Sequence, residues 1–500
     1  MRFGSIIGKQ RRWTALLAGL TVLCAAVIWL IPQVSGVSPA NVRADAAADG
    51  LGRYHYDLIF RPEDSTLHVT MTLEYTNRTG DALQDLTVRT WAGAYASEET
   101  SPAAMDALYD ACYPAGFCPG GVTLEGVWWN GTLAPAAFDD AAQTALRISI
   151  PDLAAEESGT LLLRCRLDIP ACAHRFGHSE GIWQFGNALP VLSVYENGAW
   201  RSDPYSPIGD PFFSECANYT ATLLVPKGYQ CAASGTCTMA DQADGQVRYT
   251  LSINAARELA FVLSDQWQSA KARINGITVQ AFGPNADAVR RAAQDGAKAL
   301  KTYAALYGAY PYASLTVCAV DFPFGGMEYP GLMMISLPYF ENDRADSLEL
   351  VIAHEAAHQW FYALVGSDPV REPWQDEALS EYAMLRYVRQ NYGASAYENL
   401  RTTRVDAPMR ERILQPLTPA TPITDFSSLD AYTAVVYGRG AAFLLAAEEL
   451  TGKVDGFLRA YCDAFAFQIA SREDFISLLN RYTQEDIRPL MTDYLDTLMQ

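Results

Sequence analysis

The chain has 500 residues, half of them hydrophobic and 19% charged, with a formal net charge of −20 at pH 7. That composition excludes a disordered chain, and the acidic balance argues against nucleic acid, which needs a basic face. The length suits two or three domains.

The first element is apolar. Arg2, Lys9, Arg11 and Arg12 precede the uncharged run WTALLAGLTVLCAAVIWLI, residues 13–31. Its length reaches the roughly 20 residues that a helix needs to cross a bilayer. The positive charges before it predict an N-terminus inside and the rest outside. Residues 1–31 therefore read as a cytoplasmic N-terminus and transmembrane anchor. The expected location is the cell membrane, single-pass, with the remainder extracytoplasmic. A cleaved signal peptide is the competing reading and makes the protein secreted, but its apolar core is usually shorter. Residues 32–53 are small, polar and punctuated by Pro and Gly, which reads as a linker.

From Tyr54 the pattern changes. TLHVTMTLEYTN alternates Leu67, Val69, Met71, Leu73 and Tyr75 with polar residues, the period of a strand. ALRISI, TLLLRCRLDI, NYTATLLVP, QVRYTLSI and ELAFVLS follow in the same style, separated by turn signals. Residues 54–265 read as one antiparallel β domain. Of ten cysteines, Cys112/Cys118 and Cys231/Cys237 are close pairs whose spacing suits small disulfide loops outside the cytoplasm. The connectivity stays open, and Cys318 and Cys462 read equally well as buried thiols.

Residues 266–500 are mainly helical, with short strands at SLTVCAVDF and YPGLMMISL. DAVRRAAQDGAKALKTYAALYG ends at Gly308. DSLELVIAHEAAHQWFYALVG reads as one long helix, capped by Asp346 with Glu349 three residues on, and ending at Gly366. DEALSEYAMLRYVRQNYG is another, closed by Gly393.

His354 and His358 lie four apart, so on a helix they share a face and can bring two imidazoles to one zinc ion. Glu355 lies beside them and can reach a water there. A catalytic zinc wants a third protein ligand and an open position. Glu377, on the next helix with 18 residues between it and His358, supplies it. Six histidines in the chain make a chance H-E-x-x-H rare. In this chemistry the metal polarises the scissile carbonyl, Glu355 takes a water's proton and returns it to the leaving amine, and a further donor steadies the oxyanion. Glu381, one turn after Glu377, is a candidate to hold a histidine ligand, or equally a solvated helix residue. HRFGH also spaces His174 and His178 by four. It lacks the glutamate and contains Gly177, so neither a helix nor a metal site is expected there.

HEAAHQW, then 18 residues, then the glutamate of WQDEALSEY, resembles the gluzincin aminopeptidases, the aminopeptidase N family that includes leukotriene hydrolase. GGMEYPG, residues 325–331, resembles the family's exopeptidase motif. VVYGRGAAFLL, residues 435–445, resembles the segment of its catalytic tyrosine. The likeness runs from about residue 54 to the end. It implies a multi-domain α+β protein, with the β domain followed by a thermolysin-like, mainly helical zinc peptidase domain. It implies one Zn2+ per chain, held by His354, His358 and Glu377, with Glu355 as general base and acid. Tyr437 would donate its hydroxyl to the oxyanion. Gly325, Gly326, Met327 and Glu328 would bind substrate, Glu328 by pairing with the peptide's free α-ammonium. Three departures stand out: Tyr329 replaces the usual Asn, Arg439 replaces Lys, and Gln375 and Asp376 precede Glu377 where Leu-Asn is common. The chain also stops soon after Tyr437, where many relatives carry a large helical domain, so the resemblance implies a more open site.

The expected function is hydrolysis of the N-terminal bond of extracytoplasmic peptides. A zinc endopeptidase or broad peptide hydrolase with the same chemistry is the nearest alternative. A catalytically weak surface protein that binds peptides is the alternative from another class.

Overall fold

In the strand Thr66–Thr76 the alternation read from the sequence becomes burial. Leu67, Val69, Met71 and Leu73 are at most 2% exposed, while the residues between them reach solvent. Their partners on the antiparallel strand Ser158–Asp168 are Leu167, Cys165, Leu163 and Leu161. All four are buried too, so the register is fixed by matching one apolar face to another. Around this pair a computed structural model, which describes residues 41–242, 244–341, 344–410 and 416–498, builds an eight-stranded sheet. Its pairings are antiparallel except one: Arg53–Arg61 lies parallel to Ala217–Pro226. Two four-stranded sheets, one containing Phe176–Ser179 and Ile182–Phe185 and the other Leu83–Arg89 and Ala145–Leu153, complete the β region with a short two-stranded ribbon.

The apolar run of residues 13–31 lies outside the described residues. Among the described residues no helix is long and apolar enough to cross a membrane. Part of the stretch read as linker is ordered otherwise. Asn41–Ala47 is a helix with Ala44 buried. Arg43 reaches Asp463 at 2.9 Å, and Asp463 lies on the helix Val454–Ala464.

The second region is built on a five-stranded mixed sheet in the order Gln268–Ile274, Ile277–Gly283, Ser314–Val320, Leu332–Ser336, Gly326–Met327. The helix Ala286–Tyr307 packs on this sheet and on the helix Ala345–Ala357, called here the histidine helix. The histidine helix packs in turn on Trp374–Tyr392, the glutamate helix. The long helix and the glutamate helix end where the sequence places their glycines, Gly308 at φ 102° and Gly393 at φ 85°. The architecture is thus an antiparallel β region followed by a mainly helical region.

The histidine helix is shorter than the sequence suggests. Asp346 sits inside its first turn, and Arg344 holds the cap position with no side-chain bond. Glu349 turns instead to Lys298, 2.9 Å away, and to the hydroxyls of Tyr387 and Tyr392. A half-buried cation and two hydroxyls outcompete a backbone cap for this carboxylate. At its far end the helix stops at Ala357 rather than running to Gly366. Tyr362 takes φ 154°, and its carbonyl accepts from Arg257 Nε at 2.6 Å, so a tertiary bond replaces the next helical turn.

Candidate active site

The last turn of the histidine helix puts His354 and Glu355 on the cleft floor, and His358 follows in the C-cap position. Glu377 comes from the first turn of the glutamate helix, across the interface between the two. His354 Nε2 lies 3.2 Å from His358 Nε2 and 3.3 Å from Glu377 Oε2, and His358 Nε2 lies 3.4 Å from that same oxygen. Donors about 2.1 Å from a tetrahedral metal stand about 3.4 Å apart, so the three atoms fit the edges of such a site. All three residues are buried.

The surrounding charges favour a cation at this point. Burial depresses the pKa of the His354 imidazole, but Glu377 and Glu381 outweigh it and hold it up to about 9. Burial likewise raises Glu377, and the two histidines pull it well below the carboxylate range. Each imidazole has a carboxylate behind it. Asp376 Oδ1 is 2.5 Å from His358 Nδ1, and Glu381 Oε2 is 3.4 Å from His354 Nδ1. Arg404 grips Glu381 with two bonds, at 2.9 and 2.8 Å. Glu381 is fully buried, so of the two readings of this residue the solvated one is wrong.

The edge strand Gly326–Met327 crosses above Glu355. A Cβ on Gly326 would lie 2.3 Å from Glu355 Oε1, so only glycine lets strand and carboxylate come this close. Burial raises Glu355, with the two histidines opposing. Gly325, Gly326 and Glu328 line a cleft of about 570 Å³ that also reaches the three candidate ligands and Tyr437. Met327 does not line it. Its side chain is 2% exposed within an apolar cluster, and its sulfur accepts from Arg175 Nε at 3.3 Å. Tyr329 is also turned away, donating to Asn187 Oδ1 at 2.7 Å.

Tyr437 lies on a π-helical turn, Thr433–Arg439, with its ring stacked on His354 at 5.7 Å and its hydroxyl on Glu377. Arg439 does not enter the cleft. It donates to the Asp493 carbonyl at 2.6 Å and ties the turn to the C-terminal segment.

Three residues of the site escape a reading of the sequence. Asp210 stands in a loop beside Gly209, paired to Arg175 at 2.5 Å. Asp210, Glu328 and Glu377 bring carboxylate oxygens within 4.8 Å of one another. Burial raises Glu328 well above the carboxylate range, against the pull of His358 and with Asp210 and Glu355 adding to it. Gln359, fully buried, donates to the Glu328 and Tyr329 carbonyls at 3.2 Å and accepts from Gly331 N–H at 2.8 Å. HRFGH forms no metal site: His174 bonds the Tyr95 hydroxyl at 2.5 Å and His178 stacks on Trp183.

Residues 291–494 match the peptidase family M1 domain. The chain carries an M1 peptidase domain over that stretch. Aminopeptidase B of Rattus norvegicus is 33% identical over 200 residues, covering 37% of this chain and 30% of that one. Leukotriene A-4 hydrolase of Xenopus laevis is 30% identical over 204 residues, covering 38% and 32%. The chain therefore spans about a third of the length of these curated relatives. The likeness in fold runs further. A crystal structure of the M1 zinc metallopeptidase from Deinococcus radiodurans aligns with a TM-score of 0.64 at 18% identity, covering 89% of this chain and 94% of that one. A mutant of that enzyme bound to a Tyr-Ser-Ala substrate aligns with a TM-score of 0.62 at 16% identity, covering 89% and 93%. The matched stretch holds every candidate ligand, Glu355, Glu328 and Tyr437.

Proposed function

We propose that this chain is a zinc aminopeptidase that removes N-terminal residues from peptides, with His354, His358 and Glu377 as ligands. The observation that carries the reading is the juxtaposition, in one cleft, of a three-donor metal site with a second group of carboxylates at Asp210 and Glu328. Bound zinc would polarise the scissile carbonyl and acidify a water. Glu355, held under the edge strand, takes the proton of that water and passes it to the leaving nitrogen. The Tyr437 hydroxyl, beside Glu377, donates to the oxygen that becomes negative. The free edge of Gly326–Met327 can pair with an extended peptide backbone. Glu328 and Asp210 then meet the peptide's α-ammonium, a cation that relieves the carboxylate crowding. This fixes the end of the chain, and so which bond is cut.

Residues 13–31 support a further proposal, a single membrane anchor with the peptidase region outside the cell; it rests on their sequence alone. The peptidase reading is tested with one peptide, free or acetylated at its N-terminus, with and without a zinc chelator, and products read by mass. Stepwise trimming of the free form only, stopped by chelator and restored by zinc, is expected. The Glu328→Ala variant should lose at least about tenfold in kcat/KM on the free form, the scale of one charged contact. Internal cuts in both forms would instead make the protein an endopeptidase. Zinc binding without cleavage of a varied peptide set would favour a peptide-binding protein.

A further inference from the structure

We infer that Cys112 pairs with Cys172, and Cys231 with Cys237, as two disulfides that form by exchange with a small-molecule or protein disulfide. The inference is independent of the peptidase reading. All nine cysteines among the described residues are free thiols in this structure; the Cys172 thiol meets that of Cys112, and the Cys231 thiol that of Cys237.

For the first pair the backbone sets the approach. The short helical turn Tyr109–Cys112 lies against the segment that follows strand Ser158–Asp168, and Ala173 N–H donates to the Cys112 carbonyl at 2.9 Å. The bond holds Cys112 against the residue next to Cys172, and the two thiols meet there, the close approach that a disulfide needs. Both side chains are buried, at 0% and 1% exposure. The sequence neighbour Cys118, which the spacing alone suggests as the partner of Cys112, is half-buried, and the hydrogen bond of Cys172 goes to Cys112. A Cys112–Cys172 bond would close a long loop containing strands Gly121–Trp129 and Ser158–Asp168. It would also tether a loop, closed by His178 N–H to the Pro170 carbonyl at 2.9 Å, from which Arg175 reaches Asp210 in the cleft.

For the second pair the chain folds back through Ser234 and Gly235, the latter at φ 70°. This brings Cys237 Sγ to 3.9 Å from the Cys231 carbonyl. Cys231 is buried and Cys237 exposed, so the Cys237 thiolate can attack an outside disulfide, and Cys231 can then attack the mixed disulfide at Cys237 and displace the outside thiol.

The chemistry balances with oxidised glutathione as the oxidant. One protein thiolate attacks its S–S bond, forming a mixed disulfide and releasing one glutathione thiol. The second protein thiol loses its proton, displaces the second glutathione and forms the protein S–S bond. Two protein thiols are oxidised and one glutathione disulfide is reduced to two thiols.

The test uses the full chain, expressed in a host whose cytosol is kept oxidising by glutathione disulfide. It is unfolded in the presence of an alkylating agent and digested without reductant. Expected are two cross-linked peptides, 112 with 172 and 231 with 237, each two hydrogens lighter than the sum of its parts, and alkylation of the remaining cysteines. Cys118→Ala should keep both links, whereas Cys172→Ala should expose Cys112 to alkylation and leave 231–237 intact. If the latter variant does not accumulate, Cys112→Ser serves in its place, with Cys172 becoming alkylated. Full alkylation of all four residues, glutathione adducts without cross-links, a 112–118 link, or a link from Cys231 to Cys318 would each overturn the assignment of the pair concerned.

Discussion

Glu355 and Gly326 share one small volume, and each limits the other. The carboxylate lies 5% exposed on the floor of the cleft, and the edge strand passes so close that a methyl group on Gly326 would overlap it. Gly326→Ala must push either the strand or the carboxylate aside, and a displacement of about 1 Å at a reacting group costs on the order of 100-fold. We expect Gly326→Ala to lose about that much in kcat while binding one zinc per chain with unchanged affinity, because none of the three donors touches the glycine. Glu355→Gln is the comparison variant. It keeps the shape of the side chain, removes the proton acceptor, and should lose at least about 100-fold in kcat with the metal retained. Metal content by mass spectrometry, read beside steady-state rates, separates the two effects. If Gly326→Ala retains full activity, the strand does not set the position of Glu355.

Between elements, the positioning bonds run from buried side chains to neighbouring backbones. Gln359, one residue past the second histidine, clasps the 328–331 segment with three bonds. Gln359→Leu removes all three. The Tyr329 carbonyl keeps the Leu332 N–H at 2.9 Å, but the Glu328 carbonyl and the Gly331 N–H lose the bonds from Gln359, each worth about 1–3 kcal/mol when left unsatisfied. The expected result is a lower Tm, and a KM for free-amine peptides raised about tenfold, with kcat and zinc affinity changed less. Equal losses in kcat and KM-independent terms would deny Gln359 this role. The same contrast explains what was legible in the chain. His354, Glu355 and His358 are readable because metal chemistry asks for certain residue types at the spacing of one helix, and Glu377 because it stands as a carboxylate in the first turn of the helix that follows. The inward stripe of Thr66–Thr76 is readable because a strand's period is two and one face is buried. Asp210 and Arg175 are not readable, since they come from irregular segments of the β region. Their closeness to Glu328 exists only once that region docks on the helices. The end of the histidine helix is not readable for a related reason: nothing local stops it at Ala357, and the carbonyl of Tyr362 is taken by an arginine about a hundred positions earlier in the chain.

At the scale of the molecule, that arginine is where the parts meet. Arg257 is 2% exposed and donates to the carbonyls of Tyr362, Ser214 and Gln468 at 2.6, 2.9 and 2.8 Å, joining the β region, the turn after the histidine helix and the C-terminal helices. Its neighbour Glu258 accepts from the Tyr362 hydroxyl and from Asn187, so the dipeptide holds both ends of Tyr362. Arg257→Leu takes the side-chain donor from the Tyr362 and Ser214 carbonyls, while the Gln468 carbonyl keeps the Gly366 N–H at 2.9 Å. It should cost several kcal/mol, on the order of 1–3 for each, seen as a clear drop in Tm and in the urea midpoint. Glu258 adds a pH dependence whose sign follows from its surroundings. Burial raises its pKa from the ordinary 4.5 to about 7, with Tyr362 opposing. Between those two values the folded chain binds a proton that the unfolded chain has released, so stability falls as pH rises through this window and levels off above about 7. The full difference amounts to about 3 kcal/mol at most. Glu258→Gln has no proton to lose. Melting curves from pH 5 to 8 should therefore show the wild type falling relative to this variant, with most of the divergence reached by about pH 7. Parallel curves for the two proteins would mean that the carboxyl at 258 titrates alike in the folded and unfolded chain, and that the junction holds it as an ordinary solvated acid.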